Sequence, residues 1–243
     1  MPHLEVLHPG QSLFDSMQAE RRLAPRSSSL AHAGDAGVRV RVIVSGWAFR
    51  YRTLHDGRRQ ILDVLLPGDT FGLETLFDHR TEASVQTATP MTYFALAPES
   101  LAQAFDLSPE FRRHLMNVVF AQKAALENLV IRLGQCDAEE RTAELLLSLH
   151  TRLVQCGLAL GPSFVLELTQ QEMADALGLH VIHLNRVLGR LRARKLVSAN
   201  GKTVTLHDLQ GLAELVPPLS QTGALPGLLP TKGFSDCFVV QNP

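Results

Sequence analysis

The sequence predicts an α+β protein: an N-terminal β-roll or jelly roll, one long connecting helix and a C-terminal winged helix-turn-helix. Three observations carry this. Residues from about 20 to 97 fall into short alternating runs separated by turns, with no helices between them, which favours a roll over a parallel sheet. A single apolar stripe at helical spacing follows. The segment from Thr169 to Lys202 then reads as helix cap, helix, glycine turn, second helix and hairpin.

Each element has a local cause. Val38 to Val44 alternates large apolar with small or charged side chains, and Trp47 to Leu54 and Gln60 to Leu66 continue at strand length. His55-Asp56-Gly57 and Pro67-Gly68-Asp69 are turns, and Val85 to Leu96 returns to alternation. Ser108 is a suitable N-cap, with Pro109 at the first helical position and Glu110 in the first turn. Phe111, Leu115, Val118, Gln122, Ala125, Leu129 and Leu133 then form a stripe that reads as a heptad seam. A helix of roughly 27 residues is about 40 Å long, more than a small domain needs internally. The seam is therefore expected to meet a second copy; packing on its own sheet is the alternative.

Asp137 to Val154 reads as a helix with Leu145, Leu146, Leu149 and Leu153 on its apolar face, and Phe164 to Leu168 as a strand. Thr169 and Glu172 form a capping box, in which each side chain satisfies a backbone donor at the helix start. Met173, Ala174 and Leu177 face inward before Gly178. The second helix carries Ile182, Leu184, Val187, Leu188 and Leu191, and Leu196 to Leu206 folds around Asn200-Gly201. The domain division is 1–107 for the roll, 108–136 for the dimerisation helix and 137–212 for the winged helix-turn-helix. The stretch 213–243, rich in Pro and Gly from Pro217 on, is expected to be poorly ordered.

Composition narrows the class. At 243 residues and 45% hydrophobic content the chain can fill two cores. It has no apolar run long enough to span a bilayer and no secretory start, so no membrane role and a cytoplasmic location are expected. Cys136, Cys156 and Cys237 are odd in number and widely spaced, which excludes a disulfide framework and argues against a cysteine-held iron–sulfur cluster. Enzyme signatures are missing: there is no Gly-rich phosphate loop with Lys, no His-Glu-x-x-His and no Gly-x-Ser-x-Gly. The pair Glu139-Glu140 sits at a helix start, where it complements the dipole without catalysis. The expectation is a protein that is not an enzyme.

Net charge is -1, yet Ala176 to His207 holds six basic residues (Arg186, Arg190, Arg192, Arg194, Lys195 and Lys202) and no Asp or Glu. A concentrated cationic surface on a helix-turn-helix is what phosphate backbones attract. The order of roll, long helix and winged helix-turn-helix resembles the CRP/FNR family of bacterial transcription regulators over roughly residues 10 to 212. The blocks SGWAFRYRTLHDGRRQILDVLLPGDTFGL and LTQQEMADALGLHVIHLNRVLGRLRARKLV carry that likeness.

The resemblance implies a cyclic-nucleotide-binding-like roll that senses a small signal, and operator binding as a homodimer on pseudo-palindromic double-stranded DNA, with RNA polymerase as a further partner. It makes His180 to Arg194 the recognition helix. Val181, Ile182, Asn185 and Arg186 then occupy its base-contacting turns, and Arg186 is suited to guanine O6 and N7. The family's glutamate position is Ile182, which touches a thymine methyl rather than accepting from cytosine. His180, His183, Thr169, Gln170, Gln171, Arg190 and Lys202 complete the candidate DNA-binding set. His180 and His183 lack a third ligand, so no metal site is expected.

The same resemblance gives a candidate effector pocket of Phe71, Gly72, Leu73, Glu74, Thr75, Arg80, Ala83, Ser84, Leu126 and Glu127. In the family's cyclic-nucleotide receptors a glutamate holds the ribose and an arginine about ten positions later neutralises the phosphate. Those positions are Leu73 and Ala83 here, with Glu74 and Arg80 off register by different amounts. A buried phosphate without a cation is costly, so cyclic AMP is not expected to bind tightly. Another small effector, haem, or no ligand at all remain the alternatives for the roll. A regulatory module docking on an acidic protein is the alternative for the basic helix. Cys136 falls at the expected hinge, and its redox role is left open.

Overall fold

The computed structural model describes residues 19–77 and 80–218. The far tail, 219–243, lies outside the described residues.

Eight strands build the N-terminal roll: β1 (Glu20–Ala24), β2 (Ser29–Ala31), β3 (Val40–Ser45), β4 (Ala48–Thr53), β5 (Arg59–Leu65), β6 (Thr70–Phe71), β7 (Ser84–Thr87) and β8 (Met91–Leu96). They pair into two antiparallel four-stranded sheets, ordered β1-β8-β3-β6 and β2-β7-β4-β5. Alternation decides what each face meets. Ile43, Phe71, Tyr93 and Ala95 from the first sheet meet Ala31, Ala48, Leu65 and Val85 from the second, and these close the space between the sheets. Val40 and Val42, one residue out of phase with Ile43, point the other way and pack under the helices that follow.

Helix α1 (Pro98–Leu107), which the sequence reading did not anticipate, precedes α2 (Pro109–Gln135). Ser108 caps α2 by accepting from the Phe111 amide, with Pro109 beside it, as the sequence predicts. The C-terminal unit comprises α3 (Ala138–Gln155), β9 (Ser163–Val165), α4 (Gln170–Leu177), α5 (Val181–Ala193), β10 (Val197–Asn200), β11 (Thr203–Leu206) and α6 (Leu209–Leu215). Helix α6 crosses the boundary drawn at 212, and Leu212 is fully buried there.

The two units share one apolar core. Trp47, Phe49, Ile61, Val64 and Leu66 of the roll join Leu146, Leu149, Leu153, Met173, Leu177, Leu184 and Leu191 of the C-terminal unit. Charge reinforces the join. Arg152 of α3 lies 2.5 Å from Asp69 and 3.8 Å from Asp63, and Arg59 of β5 bonds Asp175 of α4 at 2.7 Å. The long helix is where the structure departs most from expectation. Leu115 and Val118 are buried against Val40, Val42 and Leu73 of their own roll, and the Gln122 amide donates to the Thr70 carbonyl. Leu133 approaches Gly178 of the same chain. Of the expected seam, Phe111, Leu115, Val118, Gln122 and Leu133 thus meet their own protomer, and Ala125 and Leu129 between them are partly buried.

A second apolar stripe stays in solvent. Met116, Phe120, Val130 and Ile131 are exposed, Phe120 by 59% and Val130 by 69%. Each residue advances about 100° round a helix, so Phe120 points about 200° away from Val118. Heptad spacing alone does not say which of two apolar stripes an adjacent sheet will take.

Candidate nucleic-acid interface

Local chemistry sets the helix pair. Thr169 accepts from the Glu172 amide, and the Glu172 carboxylate accepts from the Thr169 amide, closing the capping box at the start of α4. Gly178 ends α4 with φ 62°, a left-handed conformation that side chains resist, and the chain turns into α5. Leu184, Val187, Leu188 and Leu191 bury one side of α5 against α3 and α4. The other side has to face water.

That outer side brings the candidate residues together. His180, Ile182, His183, Asn185, Arg186 and Arg190 are exposed along α5, with Thr169, Gln170 and Gln171 beside them at the start of α4. Val181 differs: it is only partly exposed and packs against the core. The Asn185 side-chain amide donates to Oε1 of the Gln170 side chain at 3.2 Å, tying the two helices at the surface. Gln171 is held by Asp175 at 2.7 Å, and Asp175 is the carboxylate that Arg59 of the roll also grips. Ile182 is 60% exposed. It stands out on a helix whose Leu184, Val187, Leu188 and Leu191 are all buried.

The cations divide into two groups. Arg190 and Arg194 both bond Glu139 at the start of α3, at 3.0 and 2.5 Å, and Lys202 in the β10–β11 turn bonds Glu167 at 2.5 Å. Arg186 has no acidic partner among the described residues. The sequence ranks these cations alike, because Glu139 lies 51 residues from Arg190 and nothing local marks it as a partner. Arg192 and Lys195 likewise lack an acidic partner among the described residues, but Arg186 is the one that lies in the first two turns of α5, exposed beside Ile182 and Asn185, while Arg190 braces α3.

The proposed effector residues are not gathered into one cradle. Phe71 faces the roll interior, but Leu73 turns outward beneath α2. Gly72 has φ 83° and starts a 3-10 turn, Leu73–Leu76; an added Cβ would lie 3.1 Å from the Arg39 carbonyl. Thr75 is buried and donates to the Gly72 carbonyl at 2.6 Å, and Glu74 is partly exposed. Ala83 is buried, Ser84 accepts from the Ala33 amide, and Arg80 is exposed and bonds the Gly34 carbonyl at 2.8 Å. Leu126 and Glu127 point into solvent, Glu127 paired with Lys123. A pocket made by all ten residues is therefore not formed within one protomer: the positions that would hold a phosphate are apolar, and the two from the long helix face away.

Buried charge collects instead at the join of the two units. Burial pushes the Asp63 carboxyl up to about 6, with the neighbouring Asp69 adding to the effect and Arg152 opposing it. Burial raises the Asp69 carboxyl as well, against the pull of Arg152. Cys156 donates to the Pro67 carbonyl, and burial raises its thiol too. No helix among the described residues is long and apolar enough to cross a membrane.

An antiparallel roll joined by a long helix to a winged helix-turn-helix with an open cationic face defines a DNA-binding regulator with a sensor-type domain. The comparisons agree. Residues 21–108 match the family model of the cyclic nucleotide-binding domain, and residues 140–215 match that of the Crp-like helix-turn-helix domain. The chain is 26% identical over 202 residues to the anaerobic regulatory protein of Haemophilus influenzae, covering 83% of this chain and 78% of that one. It is 24% identical to the fumarate and nitrate reduction regulatory protein of Escherichia coli, covering 83% of this chain and 80% of the relative. The solved structure of FixK2 from Bradyrhizobium japonicum superposes with a TM-score of 0.78 at 25% identity, covering 83% of this chain and 99% of that one. The chain belongs to the CRP/FNR family of bacterial transcription regulators, and its helix-turn-helix is the DNA-binding domain.

Proposed function

We propose that the protein regulates transcription as a homodimer, setting α5 of each copy into the major groove at two half-sites about one helical turn apart. The observation that carries this reading is the outer face of α5, where Arg186 has no acidic partner among the described residues and Ile182 is open to solvent. Arg186 donates to guanine O6 and N7, and Ile182 packs on a thymine methyl. His183 and Asn185 take base edges or phosphate, and Thr169, Gln170, Gln171, His180 and Lys202 hold the backbone that fixes the register.

The partner copy docks on the exposed stripe of Met116, Phe120, Val130 and Ile131, since the opposite stripe already covers its own roll. Residues up to about 107 act as the sensor, 108–136 as the dimer helix, and 137–212, with the end of α6 at Leu215, as the DNA-binding unit. Cyclic AMP is not the signal: Leu73 and Ala83 offer a phosphate neither a hydrogen-bond acceptor for its sugar nor a cation. The relatives named for anaerobic regulation lend gene control to this reading. Three widely spaced cysteines give no basis for an iron–sulfur cluster. The protein works in the cytoplasm, contacts RNA polymerase at its promoters and catalyses no reaction.

Selection of bound oligonucleotides followed by footprinting tests the assignment. Arg186→Ala is expected to weaken binding by about 1–3 kcal/mol and to relax preference at one guanine in each half-site. An unchanged footprint and unchanged base preference in that variant would show that α5 does not read the operator.

A further inference from the structure

A guanidinium lies inside the roll with unmet hydrogen-bonding capacity. Arg41 pairs in register with Phe71 on one side and Ala95 on the other. Both partners belong to the cluster between the two sheets, whereas its neighbours Val40 and Val42 point outward to the helices. Strand alternation therefore directs Arg41 into the interior. Its Cζ stands 5.5 Å from the centre of the Phe71 ring and 5.6 Å from that of Tyr93. Its Nε and Nη1 are buried and have no hydrogen-bond partner among the described residues, although the guanidinium also interacts with the Tyr93 hydroxyl.

Such an arrangement is costly unless something completes it. An unmatched buried donor forfeits its hydration, and the loss is larger for a charged group. Burial holds this guanidinium below its ordinary range; the Tyr93 hydroxyl favours the charge, and Arg22 and Arg39 oppose it. Glu20, two strands away on the same cross-strand row, is already engaged by Arg22 at 2.5 Å and Arg39 at 2.8 Å. Glu20 is thus shared by two arginines and pairs with neither Nε nor Nη1 of Arg41, so the three guanidiniums near this end of the roll outnumber the carboxylate that meets them. Two aromatic rings hold the innermost guanidinium by cation–π contact, which leaves its N–H edge as the group able to meet the oxygens of an anion.

We propose that the roll interior binds a small organic acid, with its carboxylate or phosphate group paired to Arg41 and its planar body against Phe71 and Tyr93. This rests on reading the roll as the sensor of a regulator. It moves the anion-binding cation from the end of the 3-10 turn region, where Ala83 now stands, to the middle of β3. The ligand relieves the unmatched donors, so the acid-bound roll is the more stable one.

Benzoate, phenyl phosphate and neutral benzamide, added to the purified full chain, test the proposal by calorimetry and thermal unfolding. At a hundred-fold excess over its Kd, at least one acid is expected to raise the unfolding midpoint by about 5–10 °C, with benzamide inert. Response to benzoate alone marks a carboxylate ligand, and response to phenyl phosphate alone marks a phosphate ligand. Arg41→Met should lose at least about ten-fold in acid affinity yet unfold no lower than the parent without ligand, because a desolvated charge has been removed. Arg41→Lys should bind the acid more weakly than the parent and more tightly than Arg41→Met. The idea is overturned if neither acid binds, if all three proteins respond equally, or if unliganded Arg41→Met is clearly destabilised, which would make Arg41 a structural cation held by the rings. DNA retardation on the same preparations separates the two readings: intact DNA binding without an acid response sinks only this inference, and absent DNA binding sinks the proposed function.

Discussion

The outer face of α5 and the interior of the roll hold the same kind of group under opposite conditions. On α5, Arg186 is exposed and has no acidic partner among the described residues, and an unpaired charge in water costs little. In the roll and along its border with α3, Arg41, Arg152, Asp63 and Asp69 are withdrawn from water, so each must be matched by a neighbour, a proton or a bound molecule. The exposed set is suited to recognition and the withdrawn set to sensing. Separately, the contacts Arg59–Asp175–Gln171 link a roll strand to the start of α4.

The largest effect should come from breaking the pairing that presents α5 twice. Phe120→Glu places a carboxylate in the open stripe of α2 and should shift the protein to monomers by sedimentation. Affinity for a two-half-site operator should fall on the order of 10²–10⁴-fold as the second contact ceases to be intramolecular. A dimer that survives this change would move the interface off that stripe. Leu115 and Val118 substitutions, by contrast, should damage the fold of a single protomer.

The withdrawn charges should show next, as a pH effect. Asp63 sits near 6 in the folded chain against an ordinary 3.8, so the folded state holds its proton over that interval and the unfolded chain does not. The stability this group contributes is present below about pH 4 and is lost as pH rises through about 6. Unfolding midpoints should therefore fall between pH 5 and pH 7.5. Asp63→Asn should flatten that slope and raise stability at pH 7.5 by about 1–2 kcal/mol, a modest figure because part of the carboxylate still meets solvent. An identical slope in parent and variant would remove Asp63 from the account.

The smallest effect tests the exposed side through its scaffold. Thr169→Ala removes half of the capping box on α4 and should cost about 1 kcal/mol of stability in denaturant unfolding. Its base preferences should be unchanged. An altered preference would mean that Thr169 reads sequence rather than holding the helix.

How much of this was legible in the chain depends on how far apart the causes lie. Ser108, Pro109, Thr169, Glu172, Gly178 and Asn200-Gly201 act within a few residues, so the start of α2, the helix-turn-helix and the wing could be read directly. The exposure of Ile182 was legible only through the family resemblance, because by period alone its apolar side chain fits the buried residues on α5 as well as it fits an open contact face. Helix α1 was missed for a related reason: it lacks a strong cap and buries only Leu101 fully, leaving a weak local signature.

The linear chain therefore determined the elements and their order, because caps, turns and periodicity are local and each carries its own free-energy bias. Only the folded arrangement decided which stripe of α2 lies against the roll, which cations are braced by Glu139 and Glu167, and that Arg41 ends inside without a match. Those outcomes turn on partners tens of residues away. Burial and pairing are properties of the space between elements, and that space exists only once the sheets and helices have packed.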